Sequence, residues 1–239
     1  MFQGDETLSR LQVFADNNRP VRLINAYRGI PVAYSARVIK VGAGNAVFGV
    51  NEYQSVCLAL EGKTHIQLPD LPEILRARAV AVDVPSKEAT LTEFVKAGSS
   101  LGNRLYTRVQ PKEPIDAEIK IGRHTLPCQL VDISLNGVGV ITLGTYTYGD
   151  LGAGKGSKVI LNFTLPPTHT PVQLTGQVTS VAGAQNSKQH RLGCKTFPDN
   201  NADLLLLEYV ALRRDELMRE LSMVYATMRR EQMKTVATA

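Results

Sequence analysis

Asn103-Arg104-Leu105-Tyr106-Thr107-Arg108 opens the stretch that decides the fold, and Asp132-Ile133-Ser134-Leu135-Asn136-Gly137 follows one β-hairpin later. Between and after these motifs, Ile115–Ile121, Leu126–Ile133 and Gly139–Thr142 are short runs rich in β-branched residues. Such runs predict consecutive antiparallel strands. Further strands are predicted at Val159–Leu165, Val172–Val181 and Gln189–Phe197. Short strands with tight turns are the pattern of a small antiparallel barrel, and the two motifs, RxxxR and DxSxxG, both lie beside strands of it.

The residue types in these motifs suit a guanine nucleotide. An arginine fork donates paired hydrogen bonds to guanine O6 and N7 or to a phosphate, and its planar cation stacks on a purine. Two such residues, Arg104 and Arg108, supply charge. An ionised Asp132 only accepts, which complements the N1–H and N2–H₂ donor edge of guanine. Ser134 adds a hydroxyl, and Gly137 lets backbone approach a ligand without a Cβ. A plainer reading stands beside this one. Asn136-Gly137 is also a two-residue hairpin signal, and a pair of arginines four apart occurs on many basic surfaces.

The order of the motifs, with a strand pattern beside each, resembles that of PilZ domains. Arg191-Leu192-Gly193-Cys194-Lys195-Thr196-Phe197 resembles the closing strand of that family, so the likeness spans about Asn103 to Asp199. It implies a non-catalytic receptor for cyclic di-GMP, with Arg104, Arg108, Asp132, Ser134 and Gly137 binding the ligand and no cofactor or metal. It also implies a downstream protein partner, in the flagellar motor or the polysaccharide machinery, and an output in motility or biofilm formation. The alternative function class is a barrel-based nucleic-acid or anion-binding module in which the two arginines contact phosphate backbones. A flavin-binding split barrel in the first half is a distant third.

Composition bounds what else the chain can be. A length of 239 residues favours two modest domains, and 44% apolar with 21% charged residues is ordinary for a soluble protein. The balance of 27 Lys and Arg against 22 Asp and Glu gives +5, which favours anionic partners without the dense basic tract of a dedicated DNA binder. Cys57, Cys128 and Cys194 are dispersed and odd in number, so buried thiols in a reducing cytosol are expected. His65, His124, His169 and His190 are scattered singly, which argues against a structural metal. With neither a leader pattern nor a run of about 18 apolar residues, the expectation is a cytoplasmic protein without a transmembrane segment.

The first half reads as a second small barrel. A short helix, Asp5–Asp16, places Leu8, Leu11, Phe14 and Ala15 on one face. Strands are predicted at Val21–Tyr27, Ile30–Val41, Ala46–Leu60, Lys63–Leu68, Arg76–Val84 and Ala89–Val95, with turns at Arg28-Gly29, Gly42–Asn45 and Glu61–Lys63. The layout resembles the N-terminal split barrel of flagellar-brake receptors, by strand count rather than by motif. Lys96–Asn103 is small, polar and glycine-containing, as a flexible connection would be. The expected organisation is therefore a split-barrel-like domain at 1–97, a linker with RxxxR at 98–108, a PilZ barrel at 109–200 and a C-terminal helix at 201–239. The fold class is mainly β, two antiparallel barrels with a short N-terminal and a long C-terminal helix.

Two further features bear on function. Gly149–Gly156 comes within one residue of a phosphate-binding loop, but Gly156 replaces the hydroxyl and a strand pattern follows where that loop needs a helix. In the terminal helix, Leu207, Val210, Leu217, Leu221, Val224 and Met228 recur at spacings of three, four and seven, with Arg214 interrupting the seam. A helix from Asn201 to Met233, roughly 50 Å long at 1.5 Å per residue, outreaches a small barrel, so self-association through it is an expectation.

Overall fold

The computed structural model describes residues 3–97, 107–144, 154–183 and 189–237. The first unit begins with helix α1, Gln3–Asp16, and continues through β1 (Pro20–Tyr27), β2 (Ile30–Val41), β3 (Asn45–Gly49), α2 (Glu52–Glu61), β4 (Lys63–Gln67), β5 (Ile74–Asp83) and β6 (Glu88–Lys96). Its six strands close in the order β1-β2-β3-β6-β5-β4. Leu11 and Phe14 of α1 join Leu23, Phe48, Leu58, Ile66 and Leu91 in one buried cluster, with Leu8 and Ala15 packed at its margin. The apolar face expected of this helix is the one it buries. At the β1–β2 turn, Arg28 and Gly29 have φ of 47° and 93°. Both loop residues thus adopt the left-handed conformation that matches strand twist, at a position where the sequence predicts a turn.

One predicted strand is corrected. Ala46–Leu60 reads as continuous strand because Val47-Phe48 and Val56-Cys57-Leu58 are apolar runs, yet strand ends at Gly49 and α2 begins at Glu52. The side chain of Asn51 accepts from the Tyr53 amide at 2.9 Å, while Gln54 Oε1 accepts from the Asn51 amide at 3.3 Å. This capping box satisfies N-terminal donors that a strand would place on a ladder. Gln54 then donates to the carbonyl of Leu23 at 2.8 Å and fixes α2 to the barrel wall.

The second unit contains β7 (Ile115–Ile121), β8 (His124–Ser134), β9 (Gly137–Thr142), β10 (Lys158–Leu165), β11 (Thr170–Ala182) and β12 (Arg191–Phe197). These close in the order β7-β8-β9-β12-β11-β10, with β10 returning to β7. Strict alternation along β7 sends Ile115, Ala117, Ile119 and Ile121 inward. They meet Leu130, Val140, Leu161, Leu174 and Leu192, all fully buried. β10 begins two residues after Gly156, so no helix stands behind the glycine-rich stretch; residues 149–153 of that stretch lie outside the described residues.

Helix α3 spans Asn200–Ala237. The chain divides into Met1–Arg104 with Leu217–Ala239, and Leu105–Glu216, so the two ends of α3 belong to different units. Its buried stripe is Ala202, Leu206, Tyr209, Val210, Arg213, Leu217 and Leu221. Leu207, expected in the seam, is half exposed, and Arg213 rather than Arg214 is the arginine within it. Arg213 is accommodated because its Nε donates to the Gln110 carbonyl at 2.9 Å and its Nη1 pairs with Glu216 at 2.7 Å. Among the described residues no helix is long and apolar enough to cross a membrane.

Candidate ligand site on the second barrel

The site is built from three backbone features of the second barrel. Val109 exchanges both hydrogen bonds with Ile133, at 2.9 and 3.0 Å, which lays the segment before β7 alongside the end of β8. Arg108 is thereby delivered beside Asp132. On its other edge, β8 carries a one-residue bulge: Leu130 pairs with Val140 and Asp132 pairs with Gly139, leaving Val131 extra. Bulges re-aim the side chains that follow them. Finally, Gly139 pairs with Gly193 of β12, so Asp132, Gly139 and Gly193 form one cross-strand row.

That row explains how an acid lies so deep. A Cβ at residue 139 would overlap the Asp132 carboxylate, so only glycine leaves room for it to fold against the sheet. The Asp132 side chain is 9% exposed. Arg191 lies two residues before Gly193, hence on the same face of β12, and its guanidinium reaches across to the acid. Arg191 Nη2 meets Asp132 Oδ2 at 2.6 Å, and Arg108 Nη1 meets Oδ1 at 3.3 Å. One carboxylate thus stands between two arginines whose side chains are 36% and 55% exposed. The trio carries a net positive charge and presents unused N–H donors to solvent, an arrangement that accepts anions.

The other sequence-predicted residues divide by location. Arg104 and residues 98–103 of the expected linker lie outside the described residues. Ser134 is fully buried, and its hydroxyl donates to the Gly137 carbonyl at 2.9 Å, which tightens the β8–β9 turn. Ser134 pairs with Gly137, so the turn residues are Leu135 and Asn136 rather than Asn136-Gly137. Neither Asn136 nor Gly137 has a positive φ. Gly137 is needed for space, because a Cβ there would approach the Cys194 carbonyl to 2.8 Å. Sequence reading did not single out Arg191, the second arginine on Asp132. Its one available signal was an arginine two positions before a glycine in the closing strand.

Among the described residues no cluster of three His, Cys, Asp or Glu is arranged to hold a metal ion. A groove of about 810 Å³, lined by Ile115, Pro166, Tyr209, Leu212 and Arg213 among others, shares no residue with the arginine pair.

The second unit is thus a closed six-stranded barrel that holds one acid between two arginines. Residues 103–212 match the PilZ domain. The fold is also similar to that of the Bacillus subtilis inhibitor of motility MotI/DgrA, at 13% identity and TM-score 0.42, covering 82% of this chain and 96% of that one. YcgR from Escherichia coli, solved with c-di-GMP, is similar at 13% identity and TM-score 0.40, over 91% of this chain and 93% of that one. The K. pneumonia MrkH–c-di-GMP complex is similar at 10% identity and TM-score 0.45, over 91% and 97%. No curated protein sequence matches the chain.

Proposed function

We propose that the second barrel is a receptor for cyclic di-GMP, which binds on the face formed by Arg108, Asp132 and Arg191 with Arg104 completing the motif. The observation that carries this reading is the nearly buried Asp132 carboxylate flanked by two part-exposed arginines, inside a PilZ domain. Cyclic di-GMP is a dianion with two guanines. Its phosphodiesters suit the arginine donors, and its N1–H and N2–H₂ edge suits an acceptor-only carboxylate. The bound receptor then changes its domain arrangement and acts on a protein partner in motility or exopolysaccharide control.

Calorimetry with cyclic di-GMP on the full chain, Arg108→Ala and Arg104→Ala tests the site. The expected result is micromolar or tighter binding that falls roughly ten- to a hundredfold in each variant, as loss of a charge-assisted hydrogen-bond set of about 1.5–3 kcal/mol requires. Absence of wild-type binding, or equal affinity in all three proteins, overturns the reading. Competition against duplex DNA separates a receptor from a polyanion binder, because a receptor retains the dinucleotide in excess DNA. For the change of arrangement, distances between labels in the two barrels are expected to shift on adding ligand.

A further inference from the structure

Arg191 lies outside both motifs, yet it makes the shorter of the two contacts to Asp132, at 2.6 Å against 3.3 Å for Arg108. The Asp132 side chain is 9% exposed and packs over Gly139, so little water solvates its carboxylate. A carboxylate in that position draws in whatever cation is within reach. With Arg191 on Oδ2, the demand is met from the β12 side, and Arg108 is held only end-on at Oδ1. Resting on the receptor reading above, we infer that Arg191 is a positioning residue: it occupies Asp132 so that Arg108 stays free to turn to the ligand and Oδ1 stays open to a guanine edge.

The physical alternative without Arg191 is a collapsed pair. Among the described residues Arg108 and Arg191 are the ion-pair partners of Asp132. Deleting Arg191 leaves a poorly solvated carboxylate with one arginine, and the favoured geometry of that couple is a bidentate fork across both oxygens. The ligand would then have to break the fork before either group could bind it. Arg191 therefore acts through Asp132, and removing the negative charge of Asp132 should remove the need for Arg191.

A double-mutant cycle reads this directly. Cyclic di-GMP affinity is measured by calorimetry for wild type, Arg191→Ala, Asp132→Asn and the double variant, with thermal melts to show that each is folded. Arg191→Ala is expected to weaken binding about tenfold, or one pK-sized step in free energy, while in the Asp132→Asn background the same change costs less than about twofold. Arg191→Lys, which restores a cation at one oxygen, is expected to recover part of the loss. Unchanged affinity in Arg191→Ala, or an equal loss in both backgrounds, overturns the positioning role, the latter by showing that Arg191 binds ligand on its own. Should Arg191→Ala fail to fold, Arg191→Gln decides: unchanged affinity in the Asp132 background refutes the inference, whereas a loss confined to that background upholds it. Absence of binding by wild type refutes the receptor reading instead, so the two failures are distinct.

Discussion

The two barrels have the same cyclic strand order, β1-β2-β3-β6-β5-β4 in one and β7-β8-β9-β12-β11-β10 in the other. The likeness extends to the register. In each, the second strand bulges by one residue against the third, at Ile39 in the first barrel and Val131 in the second. Counting from the bulge, Lys40, Val47 and Thr90 stand where Asp132, Gly139 and Gly193 stand, and Glu88 stands in the place of Arg191. The charges are reversed and the glycines are filled. Lys40 is exposed, whereas Asp132 is buried over Gly139. Topology and bulge alone therefore do not make the site. It arises where a side-chain-free row lets an acid sink between two arginines.

Filling that row is the largest break available. Gly139→Val gives the second barrel the residue of the first, and its Cβ overlaps the Asp132 carboxylate. The acid must leave its place, so cyclic di-GMP affinity is expected to fall about a hundredfold or more, and stability by about 1–3 kcal/mol from overpacking. Calorimetry and urea unfolding check the two numbers separately. Wild-type affinity in a folded Gly139→Val protein would show that the row is not the site.

A second difference between the barrels is chemical. The first holds one buried thiol and the second holds two. Burial disfavours the thiolate and pushes Cys57 and Cys128 up to about 12 and Cys194 up to about 11, from an ordinary value near 9.0. The folded pKa exceeds the unfolded one, so each thiol's contribution is complete below pH 9 and is lost as pH rises toward 11 or 12. Stability measured in urea should accordingly decline above pH 9, and a thiol reagent at pH 8 should label all three only on unfolding. Replacing Cys128 and Cys194 with alanine is expected to flatten the alkaline decline more than replacing Cys57. An equal effect would mean that the barrels do not differ in this respect.

The hydroxyl in the site gives a smaller effect. Ser134→Ala removes the buried hydrogen bond to the Gly137 carbonyl and should cost about 1 kcal/mol in urea unfolding. Because the turn it closes lies two residues beyond Asp132, affinity should fall by only a few-fold. A loss as large as that of Arg108→Ala would instead make Ser134 a direct ligand contact.

Most of the strand pattern was legible because period-two alternation is local, as in β7, where every second residue turns inward. The step from β3 to α2 was not, since Val56-Cys57-Leu58 is apolar in either structure. The Asn51 and Gln54 pair that decides it spans four residues of otherwise strand-like sequence. Within the candidate site, Asp132, Ser134 and Gly137 were visible as a motif. Arg191 was invisible for a physical reason: its meeting with Asp132 depends on the register of three strands and on two glycines, none of which a local pattern encodes. The turn was misplaced by one residue for a related reason, because Gly137 serves close packing against the Cys194 carbonyl rather than a positive φ.

The smallest expected effect belongs to an arginine of the first barrel. Arg78 pairs with Glu93 at 2.7 Å, closer than Arg108 lies to Asp132, yet its side chain and that of Glu93 are 55% and 59% exposed. Distance alone would rank this pair as the stronger one. Exposure reverses that ranking, because water solvates both partners and each side chain loses rotamer freedom in holding the geometry. Arg78→Ala should therefore change unfolding stability by less than about 1 kcal/mol and leave cyclic di-GMP affinity within about twofold of wild type. Arg108→Ala, made in parallel, leaves a 9% exposed carboxylate with one partner fewer and removes a donor from the proposed site. If Arg78→Ala weakened ligand binding as much as Arg108→Ala does, the division between a structural first barrel and a ligand-binding second one would fail.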